Sequence, residues 1–139
     1  MKTGLATQNM REGFKMGDAQ EELAEILEEM NNIEKARAVF VTNVKGKDVD
    51  WEMSFQFNLD GEEPFYVEIK DQTATISEGT KPDAEIIMSG DSDAIVRVCQ
   101  GKGDFTHAIS REQIKVEQGK VMDVIRLTRA ITLVLQSRK

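Results

Sequence analysis

The chain has 139 residues, the length of one ordinary domain that buries roughly two thirds of its unfolded surface. Its formal charge of −7 argues against nucleic-acid binding, which requires clustered Lys and Arg, and we expect no nucleic-acid partner. One cysteine and one histidine provide neither an internal disulfide nor a metal-ligand cluster, so we expect no metal and no cofactor.

Residues 1–17 mix glycine, threonine, asparagine and charged residues without a hydrophobic period. We predict that they form a flexible leader, followed by a single domain at residues 18–139. The leader lacks the apolar run of a signal peptide, and no stretch of the chain reaches the ~18 apolar residues of a membrane span. Together with the unpaired Cys99, these features predict a cytoplasmic protein.

A first helix is predicted at residues 18–30. Asp18 can cap its free amide groups, and Glu21 three positions later gives an arrangement like a capping box. The apolar residues of this segment recur at helical spacing, at Leu23, Ile26, Leu27 and Met30.

Residues 33–44 are ambiguous. Their apolar residues fit one face of a helix, at Ile33, Ala36, Phe40 and Val44, whereas residues 39–42 have the composition of a strand. We favour a second helix that ends at Gly46.

Residues 49–59 alternate strictly between apolar and polar side chains, a pattern that predicts a strand with one hydrophobic face. Similar alternation predicts further strands at residues 65–69, 73–77 and 84–88, separated by short turns. Four consecutive strands with short links indicate an antiparallel meander, whose hydrophobic face must be covered.

The cover follows in the sequence. Asp91 is placed to cap a helix over residues 92–100, and a short helical segment is predicted at residues 104–110. A fifth strand is predicted at residues 114–117. The last helix, at residues 121–136, has a wide apolar arc and a narrow polar stripe at Arg126, Arg129 and Gln136.

The ordered set of these motifs resembles the sterol carrier protein type-two family. The resemblance extends over about residues 20–136 and is carried chiefly by residues 53–61, 67–70, 82–89 and 113–119. It implies an α+β fold in which a five-stranded antiparallel sheet is covered on one face by helices. It also implies an apolar tunnel between the two layers, which holds fatty acyl chains, fatty acyl-CoA, sterols or related lipids, and a carrier role without catalysis.

The residues that would line this tunnel come from the hydrophobic faces of the predicted strands and helices. They are Trp51, Met53, Phe55, Phe57, Ile86, Met88, Val98, Phe105, Ile109, Ile125 and Ile131. Taken without the resemblance, the alternating pattern favours ordinary packed core for the aromatic strand. Core residues and tunnel walls have the same composition, so both interpretations remain open.

We expect no enzyme. His107 has no second histidine or cysteine near it in the sequence, and Cys99 falls on the inner face of its helix, as a small core residue does. The segment 101–103 lacks the spacing of a phosphate-binding loop, so its glycines more simply end a helix.

The C-terminal segment differs in charge from the rest of the chain. Residues 120–139 hold five basic residues and one acidic residue, a net charge of +4 that leaves −11 elsewhere. Such a helix could transiently contact an anionic membrane surface, although a solvated terminus is the simpler interpretation. The alternative to a lipid carrier is an interaction domain of the same fold with a closed tunnel, which forms a homodimer or docks on an enzyme through this helix.

Overall fold

The computed structural model describes residues 18–138, so the leader predicted at residues 1–17 lies outside the described part of the chain. The elements within it are α1 (Asp18–Met30), α2 (Glu34–Ala38), β1 (Val41–Val44), β2 (Lys47–Asp50), β3 (Met53–Asp60), β4 (Phe65–Lys70), β5 (Thr73–Glu78), β6 (Ile86–Asp91), α3 (Ser92–Cys99), α4 (Phe105–Ser110), β7 (Ile114–Gln118) and α5 (Val121–Ser137). The predicted helices at 18–30, 92–100, 104–110 and 121–136 are therefore present, and so are the five main strands.

Helix α1 is held at its first turn by a distant side chain. The Glu62 carboxylate, in the turn between β3 and β4, accepts hydrogen bonds from the backbone amides of Ala19 and Gln20, each at 3.2 Å. The hydroxyl group of Ser92, at the start of α3, donates to the same carboxylate. A capping group from outside the helix thus satisfies amides for which the sequence predicted a local cap at Asp18.

The helix predicted over residues 33–44 is wrong beyond Ala38. After the short α2, the chain forms a β-hairpin in which β1 pairs with β2, so that Val41 faces Asp50 and Val44 faces Lys47. The two turn residues, Lys45 and Gly46, have φ angles of 52° and 83°. Positive φ at both positions matches the twist of hairpin strands, and the Lys-Gly pair was the turn signal in this segment.

The strand predicted at residues 49–59 is divided between β2 and β3. Residues 51 and 52 leave the strand conformation, and the backbone amide of Trp51 donates to the carbonyl oxygen of Phe40 at 2.7 Å. This bond turns the chain out of the hairpin and into the main sheet.

The main sheet has five strands in the order β5-β4-β3-β6-β7. Three pairs are antiparallel, but β3 and β6 are parallel, with Phe55 beside Ile86 and Phe57 beside Met88. The prediction of an all-antiparallel sheet with a four-strand meander is therefore wrong at β6. Alternation along a strand identifies its buried face but not the direction of its neighbour.

The link between β5 and β6 explains the parallel pair. Residues 79–85 cross the outer face of β3, where the Lys81 amide donates to Gln56 Oε1 at 2.6 Å and the Glu85 amide donates to Ser54 Oγ at 3.0 Å. Ser54 and Gln56 are consequently buried, although they lie on the polar face of the strand. After this crossing, β6 pairs with the edge of β3 that β4 leaves free, and it runs in the same direction as β3.

The hydrophobic core lies between the inner face of the sheet and the helices. Phe55, Phe57 and Leu59 project from β3 into this layer, where α1, α3 and α5 contribute the opposite side. Asn31, just after α1, exchanges two hydrogen bonds with the backbone of Ala74 on the edge strand β5. Within residues 18–138, no helix has the length and apolar composition that crossing a membrane requires.

Candidate functional site

The structure brings most of the predicted lining residues into one layer. The buried core includes Phe55, Phe57, Ile86, Met88, Val98, Phe105 and Ile131, and the half-buried Trp51, Met53 and Ile109 pack against it. Ile125 is also half-buried and is not part of this cluster. The candidate site is thus the inner face of the sheet with the helix surfaces above it.

One end of this layer is a cluster of phenylalanines around Phe57. The rings of Phe57 and Phe65 stack with their centroids 5.0 Å apart, and the Phe105 ring lies 6.5 Å from Phe57. None of these three side chains has any exposed surface, and the same holds for Phe55 and Met88. In this conformation, no water-sized space touches them. A lipid would reach them only if helices and sheet moved apart.

The other end of the layer is built around Trp51. Its ring stacks on Phe40 at a centroid distance of 5.9 Å and meets Phe55 edge-on at 6.1 Å. The guanidinium carbon of Arg126 lies 4.7 Å from the ring centre, close enough for a cation–π contact. Trp51 is therefore enclosed on several sides while it remains half-buried.

Arg126 connects this cluster to the hairpin. It donates to the carbonyl oxygens of Val39 at 2.8 Å and Val41 at 3.1 Å, and to the hydroxyl oxygen of Thr42 at 2.7 Å. Burial lowers the pKa of Arg126, and the charge of Arg129 adds to that effect, but an arginine remains charged. Neither Arg126 nor Phe40 is among the predicted lining residues, because Arg126 belongs to the narrow polar stripe of the last helix and Phe40 to a segment predicted to be helical.

Two polar atoms in the interior have no hydrogen-bond partner in the described structure. They are Oε1 of Gln20 on α1 and Oγ1 of Thr128 on α5, in side chains that are 3% and 8% exposed. Buried polar atoms are normally paired, so these two can accept a hydrogen bond from a polar group that enters the layer. Neither residue is among the predicted lining residues, although both fall among the apolar positions of their helices.

The structure places Cys99 in the core and His107 on the surface. Burial, with a smaller contribution from Glu22, raises the pKa of the Cys99 thiol to about 12, so the thiolate nucleophile is not formed near neutral pH. His107 is exposed on α4, where its backbone amide donates to the capping carboxylate of Asp104 at 2.8 Å. Across residues 18–138, no group of three or more His, Cys, Asp and Glu side chains is arranged to hold a metal ion.

The outer face of the sheet bears a groove of about 650 Å³ with a different lining. Its walls are mainly charged, and Lys81 spans part of it with ion pairs to Glu68 at 3.6 Å and Asp83 at 3.3 Å. Met53 is the predicted lining residue that reaches this groove. An acidic, open groove does not suit an apolar ligand, so the inner layer remains the candidate site.

Comparison with protein families identifies the fold. The model of the SCP-2 sterol transfer family matches residues 20–131, which is most of the chain and includes every strand of the main sheet. The chain belongs to this family. The resemblance inferred from the sequence motifs is thereby confirmed. A comparison with curated proteins gives no match.

Solved structures of this SCP-2 family have the same fold. Palmitated SCP2L2 from Aedes aegypti is 13% identical, with a TM-score of 0.59 over 84% of this chain and 95% of that chain. A crystal structure of sterol carrier protein 2 is 17% identical, with a TM-score of 0.56 over 90% of this chain and 95% of that chain. At such identities, the similarity shows the fold alone.

The chain also matches part of a larger enzyme. The stereoselective inverting sec-alkylsulfatase Pisa1 from Pseudomonas sp. is 14% identical, with a TM-score of 0.49. The alignment covers 59% of this chain but only 13% of the length of that enzyme. This partial similarity carries no argument about activity.

Proposed function

We propose that this protein is a non-catalytic lipid carrier of the cytoplasm. It holds one apolar ligand, a fatty acid, a fatty acyl-CoA or a sterol-like molecule, between the inner face of the sheet and the helices. The observation that carries the proposal is the continuous apolar layer from Trp51 to Phe105, formed by residues of both the sheet and the helices. Family membership supports it, because the family is named for sterol transfer.

The solved relative with palmitate supports the ligand class. Its name describes a palmitated protein of this fold, and it covers 84% of the present chain. A straight acyl chain is narrow enough to lie along a sheet between cross-strand side chains. We therefore propose a single-chain lipid as the first ligand to test.

The energetics are compatible with a carrier. Moving a palmitoyl chain from water into an apolar layer is favourable by on the order of 12 kcal/mol, at about 0.8 kcal/mol per methylene. Part of this free energy would be used to separate the packed side chains around Phe57. Exchange with a membrane replaces one apolar environment by another, so the net change is small and loading requires no energy source.

The two unpaired interior atoms suggest where the polar end of a ligand lies. Gln20 Oε1 and Thr128 Oγ1 are acceptors on two different helices that face the same layer. A protonated carboxyl or a hydroxyl group can donate to either oxygen, whereas an ionised carboxylate can only accept from the Thr128 hydroxyl and leaves Gln20 Oε1 without a donor. We propose that these atoms favour a ligand with an uncharged polar end.

Native mass spectrometry of the freshly purified protein, followed by lipid extraction, tests the proposal. We expect a complex with one lipid per chain, and we expect added palmitate to change the fluorescence of Trp51, the single tryptophan. Absence of bound lipid, together with unchanged Trp51 emission on addition of palmitate or acyl-CoA, would contradict it.

The closed packing favours a second candidate, an interaction domain with a filled interior. Phe55, Phe57 and Phe105 have no exposed surface in the described structure, and Met122 at the start of α5 is exposed. In this case α5 would form a homodimer or dock on another protein. Light scattering distinguishes the two functions, because a strict monomer that takes up lipid stoichiometrically excludes the homodimer and supports the carrier.

A further inference from the structure

The exposed apolar side chains of the described structure are confined to two elements. Val44 and Val49 on the hairpin are each 48% exposed, and Val121 and Met122 in the first turn of α5 are 41% and 72% exposed. Isolated surface hydrophobics are ordinary, but these are the only large ones exposed within residues 18–138. Their concentration in two elements therefore requires a cause.

The pairing of the hairpin places its two valines on one face. Thr42 lies opposite Val49 and Val44 lies opposite Lys47, and alternate residues of a strand share a face. Arg126 of α5 donates to the hydroxyl oxygen of Thr42, so this face is turned towards α5. Met122 lies one helical turn before Arg126, on the same side of the molecule.

The acidic residues of the hairpin are on its other face. Asp48 lies with Val41 and Asn43 in a concavity next to α2, and Asp50 accepts a hydrogen bond from Gln72 at 3.1 Å. The face with the valines bears Lys47 instead, and Lys45 is exposed in the adjoining turn. The exposed valines and Lys47 of the hairpin thus lie on the face that is turned towards α5.

Helix α5 adds further positive charge to this side. Lys120 immediately precedes Val121, and Arg129 lies two turns after Met122, and both are exposed. The segment 120–139 has a net charge of +4 against −11 for the remainder of the chain. The exposed apolar residues of the hairpin and of the first turn of α5 are thus accompanied by Lys45, Lys47 and Lys120, with Asp123 as the acidic residue of that turn, on a protein that is acidic overall.

We propose that this face docks on the headgroup region of an anionic lipid bilayer. We call it the hairpin–helix face and define it by Val44, Val49, Val121 and Met122 with Lys45, Lys47 and Lys120. Such a face inserts its apolar side chains shallowly while its lysines contact lipid phosphates and carboxylates. The inference rests on the proposed carrier function for its role, since a carrier must meet the membrane from which it takes lipid.

Charge favours a bilayer over a second copy of the chain. In a two-fold dimer, the same patch meets itself, so Lys47 and Lys120 would approach the lysines of the other copy. An anionic bilayer presents the opposite charge over the whole patch. Contact with lipid is therefore electrostatically favourable, whereas self-association is not.

Flotation with phosphatidylcholine vesicles, with and without phosphatidylserine, tests the proposal. We expect the protein to float with the phosphatidylserine vesicles and to be released as salt is raised, because salt screens exposed charges. A lysine at an anionic surface contributes about fivefold to partitioning, so the pair Lys47→Glu and Lys120→Glu should weaken it at least about 25-fold. Met122→Ser with Val49→Thr should also weaken it, without loss of charge.

A matched variant controls for net charge. Lys70→Glu with Lys102→Glu alters the net charge by the same amount, at exposed positions outside the hairpin–helix face. This double variant should float like the unmodified protein. Thermal unfolding should show that all variants are folded. If both lysine pairs lose flotation equally, or if the protein does not bind phosphatidylserine vesicles, the proposal is wrong. A dimer that dissociates on Met122→Ser would also overturn it in favour of a second copy.

Lipid uptake in the absence of vesicles separates this inference from the carrier function. We expect the Lys47/Lys120 variant to bind palmitate in solution like the unmodified protein. Flotation without palmitate uptake would contradict the carrier function and leave the docking face supported. Palmitate uptake without flotation would contradict the docking face alone.

Discussion

The two ends of the apolar layer have the same composition but different surroundings. Around Phe57, three phenylalanine rings pack with no exposed surface. Around Trp51, the ring is half-buried beneath a guanidinium group that also bonds the hairpin backbone. The alternating segment 49–59 thus contributes to both ends, with Phe57 of β3 in the sealed interior and Trp51, between β2 and β3, at the rim. The rim can rearrange at lower cost, because its contacts are partly accessible to water.

Truncation at the sealed end has the largest expected effect. Phe57→Ala should lower the free energy of unfolding by about 3–5 kcal/mol, because the space vacated by a buried ring is only partly refilled. Urea unfolding measures the loss, and native mass spectrometry measures the lipid bound per folded molecule. We expect that lipid occupancy falls by more than the loss of folded protein explains.

Leu27→Ala on α1 is the matched control for the truncation. Leu27 is fully buried, and its truncation costs ~2–5 kcal/mol, but it is not a predicted lining residue. Equal lipid occupancy per folded molecule in the two variants would show that Phe57 is core and has no specific role in binding.

Removal of the guanidinium group at the rim has the next largest effect. Arg126→Met should lower the free energy of unfolding by about 2–3 kcal/mol, the contribution of roughly one hydrogen bond to a charged group, because water can partly replace the others at this half-buried position. The emission of Trp51 should shift to longer wavelength as water reaches its ring. Arg129→Met, an exposed change on the same helix, should alter stability by less than about 0.5 kcal/mol. Equal effects of the two substitutions would exclude the anchoring role of Arg126.

Substitution of an unpaired interior hydroxyl should stabilise the protein. Thr128→Val keeps the shape of the side chain and removes a buried oxygen without a partner, so the free energy of unfolding should rise by about 1 kcal/mol. A shift in the midpoint of urea unfolding measures this rise in stability. Thr132→Val, at an exposed position one turn later, serves as the control. Destabilisation by Thr128→Val would show that the hydroxyl has a partner in solution.

The smallest expected effect on stability is that of substituting Arg138, which links the C-terminal end of α5 to α1. Arg138 makes two hydrogen bonds to Glu29 of α1, one of them at 3.0 Å, and these bonds lower the pKa of Glu29. A carboxyl whose folded-state pKa is depressed stabilises the protein above its unfolded pKa of about 4.3. This contribution is lost as pH falls through the folded-state pKa.

Because the Glu29–Arg138 pair is substantially exposed, its contribution should be below about 1 kcal/mol. Acid titration of stability in the Arg138→Gln variant measures it. We expect the variant and the unmodified protein to differ above pH ~4.3 and to converge in acid. A difference that persists at the lowest pH would indicate that Arg138 acts through packing instead of charge.

The candidate site was largely predictable, although its polar members were not. The predicted lining residues Phe55, Phe57 and Met88 follow from alternation alone, and the structure places them in one buried layer. Arg126 falls on the predicted polar stripe of α5 and Thr128 on its apolar side. Only the packing of α5 shows that the guanidinium group is half-buried against the hairpin and that the hydroxyl oxygen is buried without a partner. A sequence pattern averages over a helix face, so it cannot identify the one polar residue that packs inward.

The sequence by itself determined the five main strands, most of the helices, the hydrophobic face of each and the family, because side-chain periodicity is a local property. The tertiary structure decided how these elements are joined. It made β3 and β6 parallel, divided the segment predicted at residues 49–59 between the hairpin and the sheet, and supplied the cap of α1 from Glu62. Each of these features depends on hydrogen bonds between residues that are distant in sequence, and no local pattern encodes which backbone groups will meet.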